Sequence, residues 1–199
     1  MSGGKRRGLF ITLDGPGGIG KSTTCAVVAQ QLRALGIPVH TTREPTDTPL
    51  GNLARHGTDE YQGLAMAHLI AADRYHHITT EIRPALTRGE FVVCDRYLAS
   101  SLVLQRIDGL PAQTVWDLNG YADRPDLSVL LTGDPEVIHR RLTNRGPHSR
   151  YETLPDSSHT EVKLFAEAAQ ALTAAGFHTL VLDGTDATPE NLARTITAE

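Results

Sequence analysis

The chain has 199 residues, 40% hydrophobic, 21% charged and 5% aromatic, a length at which one domain buries about 70% of the surface its unfolded chain exposes. Nineteen basic and 23 acidic residues leave a formal charge of −4, no global field for a nucleic-acid polymer, and no apolar run reaches the roughly 20 residues that cross a bilayer. Residues 1–7 are basic but carry no apolar segment with a cleavage site, and Cys25 and Cys94 lie far apart, so the expectation is a cytoplasmic chain with no membrane partner and reduced, core-packed thiols.

In chain order, the apolar run 9–13 predicts a strand buried on both faces. A glycine-rich turn follows, then a helix over 21–35 closed by Gly36. Residues 37–42 predict a second strand. The stretch 50–88 reads as mostly helical, broken near Gly57, with boundaries near Gly63 and Pro84. A third strand, 91–94, is followed by a short helix at 112–119 and a fourth strand at 127–131. Helices at 135–144 and 161–174 flank a polar segment, 145–159, and a fifth strand spans 177–182. Strands separated by helices predict an α/β fold in which a five-stranded parallel sheet is covered on both faces. Neither repeat nor linker divides the chain, so one domain is expected, with 145–159 as a short mobile lid.

Gly15-Pro16-Gly17-Gly18-Ile19-Gly20-Lys21-Ser22 fits G-x-x-x-x-G-K-[ST] in full, between a predicted strand and a predicted helix. Such glycines let backbone N–H groups curl round phosphate oxygens, and the helix N-terminus adds partial positive charge. Lys21 is then expected at the β/γ-phosphates of ATP and the Ser22 hydroxyl on Mg²⁺, with Asp95, at the end of the third strand, as the second metal-directed group. Arg96 follows at once. Phosphoryl transfer needs several cations, and a P-loop with one lysine implies that others arrive from a lid. His76-His77 offer no ligand spacing, and Trp116 is expected in packing or a subunit contact.

Taken together, residues 12–23, Arg43-Glu44-Pro45, Ala71-Ala72-Asp73-Arg74, Arg83-Pro84-Ala85-Leu86, Asp95-Arg96-Tyr97, Ser100-Ser101 and Arg124-Pro125-Asp126-Leu127 resemble the thymidylate kinases in order and spacing. The resemblance implies a P-loop NTPase fold, an α/β/α three-layer kinase. It implies that ATP is held by Gly15, Gly17, Gly18, Ile19, Gly20, Lys21, Ser22 and Thr23, with Arg141 against adenine and the Asp183-Gly184 loop around the base. It implies that Arg96 binds the 5′-phosphate of a pyrimidine nucleotide with Arg43 and Asp14 nearby, and that Arg74 and Ser101 meet the base. Arg150-Tyr151-Glu152 is similar to the lid signature, with Arg150 closing on the transferring group. Lys21, Arg96, Arg150 and Asp14 are thus the expected catalytic set, and a homodimer through the stretch 64–78 is expected as well.

The departures fall in the acceptor pocket. Ile70 stands where the family usually stacks an aromatic ring, and Val103-Leu104-Gln105 where Ala-Tyr-Gln is usual. Tyr151 is the candidate to replace part of that wall. Thr46-Asp47-Thr48 replaces a common glycine pair. The acceptor expected is dTMP. Another or modified pyrimidine nucleotide, a free nucleoside with Asp14 or Glu44 as base, and a non-catalytic nucleotide-binding module are the alternatives.

Overall fold

A computed structural model describes residues 7–146 and 149–199. Five strands, β1 (Phe10–Asp14), β2 (Val39–Arg43), β3 (Phe91–Asp95), β4 (Leu127–Thr132) and β5 (Thr179–Asp183), form one sheet in the order β2-β3-β1-β4-β5. Every pairing is parallel. Alternation along the strands feeds two cores. Phe10, Val92, Cys94 and Leu130 face one side with Ile82, Leu102 and Phe165. Ile11, Leu13, Val93, Val129 and Leu131 face the other with Val28, Ile138 and Leu192. Helices α1 (Lys21–Ala34), α7 (Pro135–Arg145) and α10 (Pro189–Ile196) cover the second face.

The first face is covered by α3 (Gly63–His77), which runs through a π-helical turn (Ile78–Ile82) into α4 (Arg83–Thr87), and by α5 (Leu98–Ile107) and α9 (Ser157–Ala174). The boundary expected at Pro84 is therefore a continuation. Pro84 follows the π-helical turn at the start of α4, so its missing N–H falls where the hydrogen-bond ladder changes spacing. Helices α2 (Pro49–His56), α6 (Ala112–Leu118) and α8 (Arg150–Thr153) complete the set.

Strands β2 and β5 begin two residues later than the apolar runs suggest. Ile37 N–H donates to the Leu32 carbonyl and Phe177 N–H to the Leu172 carbonyl, after Gly36 and Gly176 at φ 78° and 80°. Both apolar residues thus close the preceding helix in a Schellman-type cap and leave the strand to start beyond them. Helix α5 was not anticipated. It is buried at Leu98, Ala99, Ser100, Ser101, Leu102 and Val103, and a helix covered nearly all round carries no amphipathic stripe to read.

Of the segment expected as a lid, residues 147 and 148 lie outside the described residues, as do residues 1–6. The remainder holds α8 and the start of α9, with Tyr151, Ser157 and Ser158 buried. Cys25 and Cys94 are free thiols buried in the two cores, and burial pushes both well up from the ordinary thiol range. Among the described residues no helix is long and apolar enough to cross a membrane.

Candidate functional site

Strands β1 and β3 are neighbours, with Leu13 in register with Asp95, so their C-terminal ends deliver Asp14, Asp95 and the loops after them to one place. The loop after β1 approaches β4 so closely that a Cβ on Gly15 would lie 2.5 Å from the Leu131 carbonyl oxygen. Gly18 and Gly20 take φ of 78° and 97°, a region where a side chain is strained. Lys21, the first residue of α1, is buried, and its Nζ donates to the Pro16 carbonyl at 2.7 Å. Burial foremost, and then Arg96, draw its pKa down to about 7. Gly17 N–H donates to Glu161 Oε2 of α9 at 2.8 Å.

Ser22 Oγ donates to Asp95 Oδ2, while Asp95 Oδ1 is buried and has no hydrogen-bond partner among the described residues. An orphaned carboxylate oxygen beside a hydroxyl is a donor set of hard oxygens. Among the described residues no group of three or more His, Cys, Asp or Glu side chains could hold a metal by itself. A cation here therefore needs oxygens from water or a phosphate, which is the habit of Mg²⁺.

Arg96 sits at φ 71°, a left-handed conformation that costs a non-glycine residue on the order of 1–2 kcal/mol. Its N–H donates to the Leu13 carbonyl and its guanidinium to Ser100 Oγ at 3.3 Å. Asp14, 2% exposed, accepts at Oδ1 from the N–H groups of Tyr97 and Ser100, both at 2.9 Å, and from Ser100 Oγ. Its carboxylate thereby caps α5. Burial nevertheless raises its pKa against those three hydrogen bonds.

One cavity of about 600 Å³ joins these parts. Gly17, Gly18, Gly20, Lys21, Ser22 and Thr23 line it, together with Arg43, Asp95 and Arg96. Ile70, Leu104, Met66 and Tyr151 give it an apolar wall. A second cavity of about 640 Å³, between α1 and β2, shares Ser22, Arg43 and Asp95 but none of the P-loop glycines.

Not every expected side chain faces the main cavity. Arg74 is 1% exposed and donates to Glu44, Asn119, the Tyr97 carbonyl and Ser101. Ser101 and Gln105 are likewise buried and do not line the cavity. The other Glu44 oxygen meets His77 at 3.1 Å, and His77 also meets Thr42. Arg43 pairs with Asp47 at 2.5 Å. Arg150 is turned onto Asp108 and lies 4.4 Å over the Tyr151 ring, whose hydroxyl donates to the other Asp108 oxygen. Burial and Asp108 together push the Tyr151 phenol well up. The lid-side arginine on the cavity is Arg145, paired with Glu152 at 2.7 Å.

Arg141 donates to the carbonyls of Gly184 and Thr185. Ile19 packs on Gly184, and Asp183 accepts from Thr185 N–H. Arg141, Ile19 and the 183–184 loop therefore form one group beside the P-loop.

Three residues of the site have no local signal in the sequence. Arg55, from α2, lines the cavity with a buried, unpartnered Nε. Glu161 and Asp108 arrive from α9 and from the end of α5. A gap in hydrogen bonding or a buried carboxylate is visible only once the helices are packed.

Comparison with known proteins points to one family. A family model described as thymidylate kinase matches residues 13–193. A thymidylate kinase of Leifsonia xyli subsp. xyli is 41% identical, over 79% of this chain and 80% of its own length. A thymidylate kinase of Caldicellulosiruptor saccharolyticus is 37% identical, over 78% and 80%. A probable thymidylate kinase of Caldivirga maquilingensis is 34% identical, over 74% of both chains.

Proposed function

The chain belongs to the thymidylate kinase family, and on that premise we propose that it transfers the γ-phosphoryl group of ATP to the 5′-phosphate of dTMP, giving ADP and dTDP. The observation that carries this reading is that the P-loop with Lys21, the arginines Arg43 and Arg96, and the apolar side chains of Met66, Ile70 and Leu104 all line one cavity. Two nucleotides that share it bring their phosphates together.

A non-bridging oxygen of the acceptor phosphate attacks the γ-phosphorus in line, and the bond from that phosphorus to the β,γ-bridging oxygen breaks. The protein aligns two anions and offsets their repulsion. Lys21 leaves the Pro16 carbonyl for the β/γ-oxygens. Arg96, fixed by its backbone, holds the acceptor phosphate with Arg43. Asp14 positions this segment through α5. Arg145 and Arg150 are the lid cations. Arg141 and Gly184 border adenine, while Ile70, Met66, Leu104 and Tyr151 border the pyrimidine, with Arg55 as its polar neighbour and Arg74, out of the cavity, bracing Glu44 and Ser101. Ser22 and the orphaned Asp95 oxygen fit Mg²⁺, which when bound supplies charge neutralisation at the β/γ-phosphates. Asp14 and Glu44 are engaged by α5 and by Arg74 with His77, which favours an acceptor phosphate that needs no base over a nucleoside hydroxyl.

We further propose that the chain acts as one cytoplasmic domain and pairs with a second copy through α3, where Leu64 is exposed. The enzymatic reading is tested by incubating dTMP with Mg-ATP and resolving the nucleotides. It expects ADP and dTDP in equal amounts, with turnover lowered about 10³-fold in Arg96→Ala. ADP without dTDP would overturn it.

A further inference from the structure

Backbone amides of a P-loop form a concave seat for an anion. In this structure the anion on Gly17 N–H is part of the chain itself, the Glu161 carboxylate at 2.8 Å. Glu161 is 3% exposed, and a carboxylate leaves water only where a partner repays the desolvation. A second carboxylate stands beside it, since a Cβ on Gly17 would come within 2.5 Å of Glu152 Oε1. Lys21, meanwhile, is folded onto the Pro16 carbonyl, and Glu161 is among the charges that favour its protonated form. One amide of the loop is thus taken by an internal carboxylate.

We infer that Glu161 is a resident competitor for the P-loop, a carboxylate that the triphosphate of ATP must displace before Lys21 and the loop amides engage it. The inference rests on the nucleotide-site reading above. A polyphosphate and an ionised carboxylate cannot share one buried seat, because each carries negative charge and the seat excludes the water that would screen them. Glu161 lies one turn into α9, and α8 with Tyr151 and Glu152 leads directly into that helix. Withdrawal of Glu161 therefore moves the base of the segment that carries the acceptor-side Tyr151. Nucleotide entry and lid position become one event, and the competitor weakens ATP binding to make them so.

The test is calorimetric binding of Mg-ADP, without acceptor, to the full chain and to Glu161→Gln, with steady-state kinetics alongside. The neutral amide keeps the shape and one acceptor oxygen but removes the charge. Glu161→Gln should bind Mg-ADP about tenfold more tightly, the size expected for losing one charge-assisted competitor. It should lower KM for ATP by a similar factor. Equal or weaker Mg-ADP binding by a cooperatively melting Glu161→Gln would overturn the inference and make Glu161 a support of the loop. Should that variant fail to fold, Glu161→Ala decides by the same criterion. Failure of the unmodified protein to bind Mg-ADP would instead overturn the nucleotide reading, and this inference with it.

Discussion

Lys21 shows how burial prepares a charge for its ligand. Its pKa is drawn down to about 7, so at pH 8 much of it is neutral. Phosphate oxygens favour the ammonium form and raise that pKa. Binding of Mg-ADP at pH 8 should therefore take up close to one proton, measured as the dependence of binding heat on buffer ionisation, and Lys21→Met should take up none. Equal heats in all buffers would contradict this. The sign for folding follows from the same shift. The folded pKa lies below the unfolded value of about 10.4, so the unfolded chain binds more protons between about pH 7 and 10. Lys21 therefore adds stability as pH rises through that window. Elsewhere in the cavity, Ile70→Phe puts a ring on the acceptor wall beside Leu104. An aromatic contact is worth about 0.5–1.5 kcal/mol, so KM for dTMP should fall roughly two- to tenfold, and an unchanged KM would count against base stacking there.

At the scale of elements, the P-loop was legible because its chemistry is contiguous. Eight successive residues between a strand and a helix state both the turn and the ligand. Helix α5 was not legible, because burial on nearly all sides erased its stripe and because its cap comes from Asp14, more than 80 residues earlier. That long-range cap can be measured. Asp14→Ala leaves the Tyr97 and Ser100 amides without their acceptor and should cost about 1–2 kcal/mol. In a chain of this size that is a fall in Tm of about 5 °C by calorimetry, and an unchanged Tm would remove Asp14 from the role of cap. The starts of β2 and β5 were misplaced for a related reason. Ile37 and Phe177 are as apolar as strand residues, and only their bonds back to Leu32 and Leu172 assign them to the helix ends.

For the whole molecule, short apolar runs separated by helical stretches were enough to give a parallel sheet with two covered faces. The acceptor side was not, because it is built from α2, α3, α5 and α8, and their meeting depends on packing between elements far apart in the chain. The resemblance supplied names for Arg74, Ser101 and Arg150. The structure adds that Arg74 and Ser101 are buried and bonded to each other and that Arg150 is held by Asp108. Association of two copies through α3 has its own test. Leu64→Glu should shift the mass seen by light scattering from two chains to one, whereas a single-chain mass for the unmodified protein would contradict pairing.

The acceptor is settled by comparing kcat/KM values with Mg-ATP among dTMP, dUMP, UMP, dCMP and thymidine. A clear preference for dTMP is expected, with thymidine scarcely phosphorylated. Preference for any other acceptor would contradict the dTMP reading and make Ile70 and Leu104 the mark of a reshaped pocket.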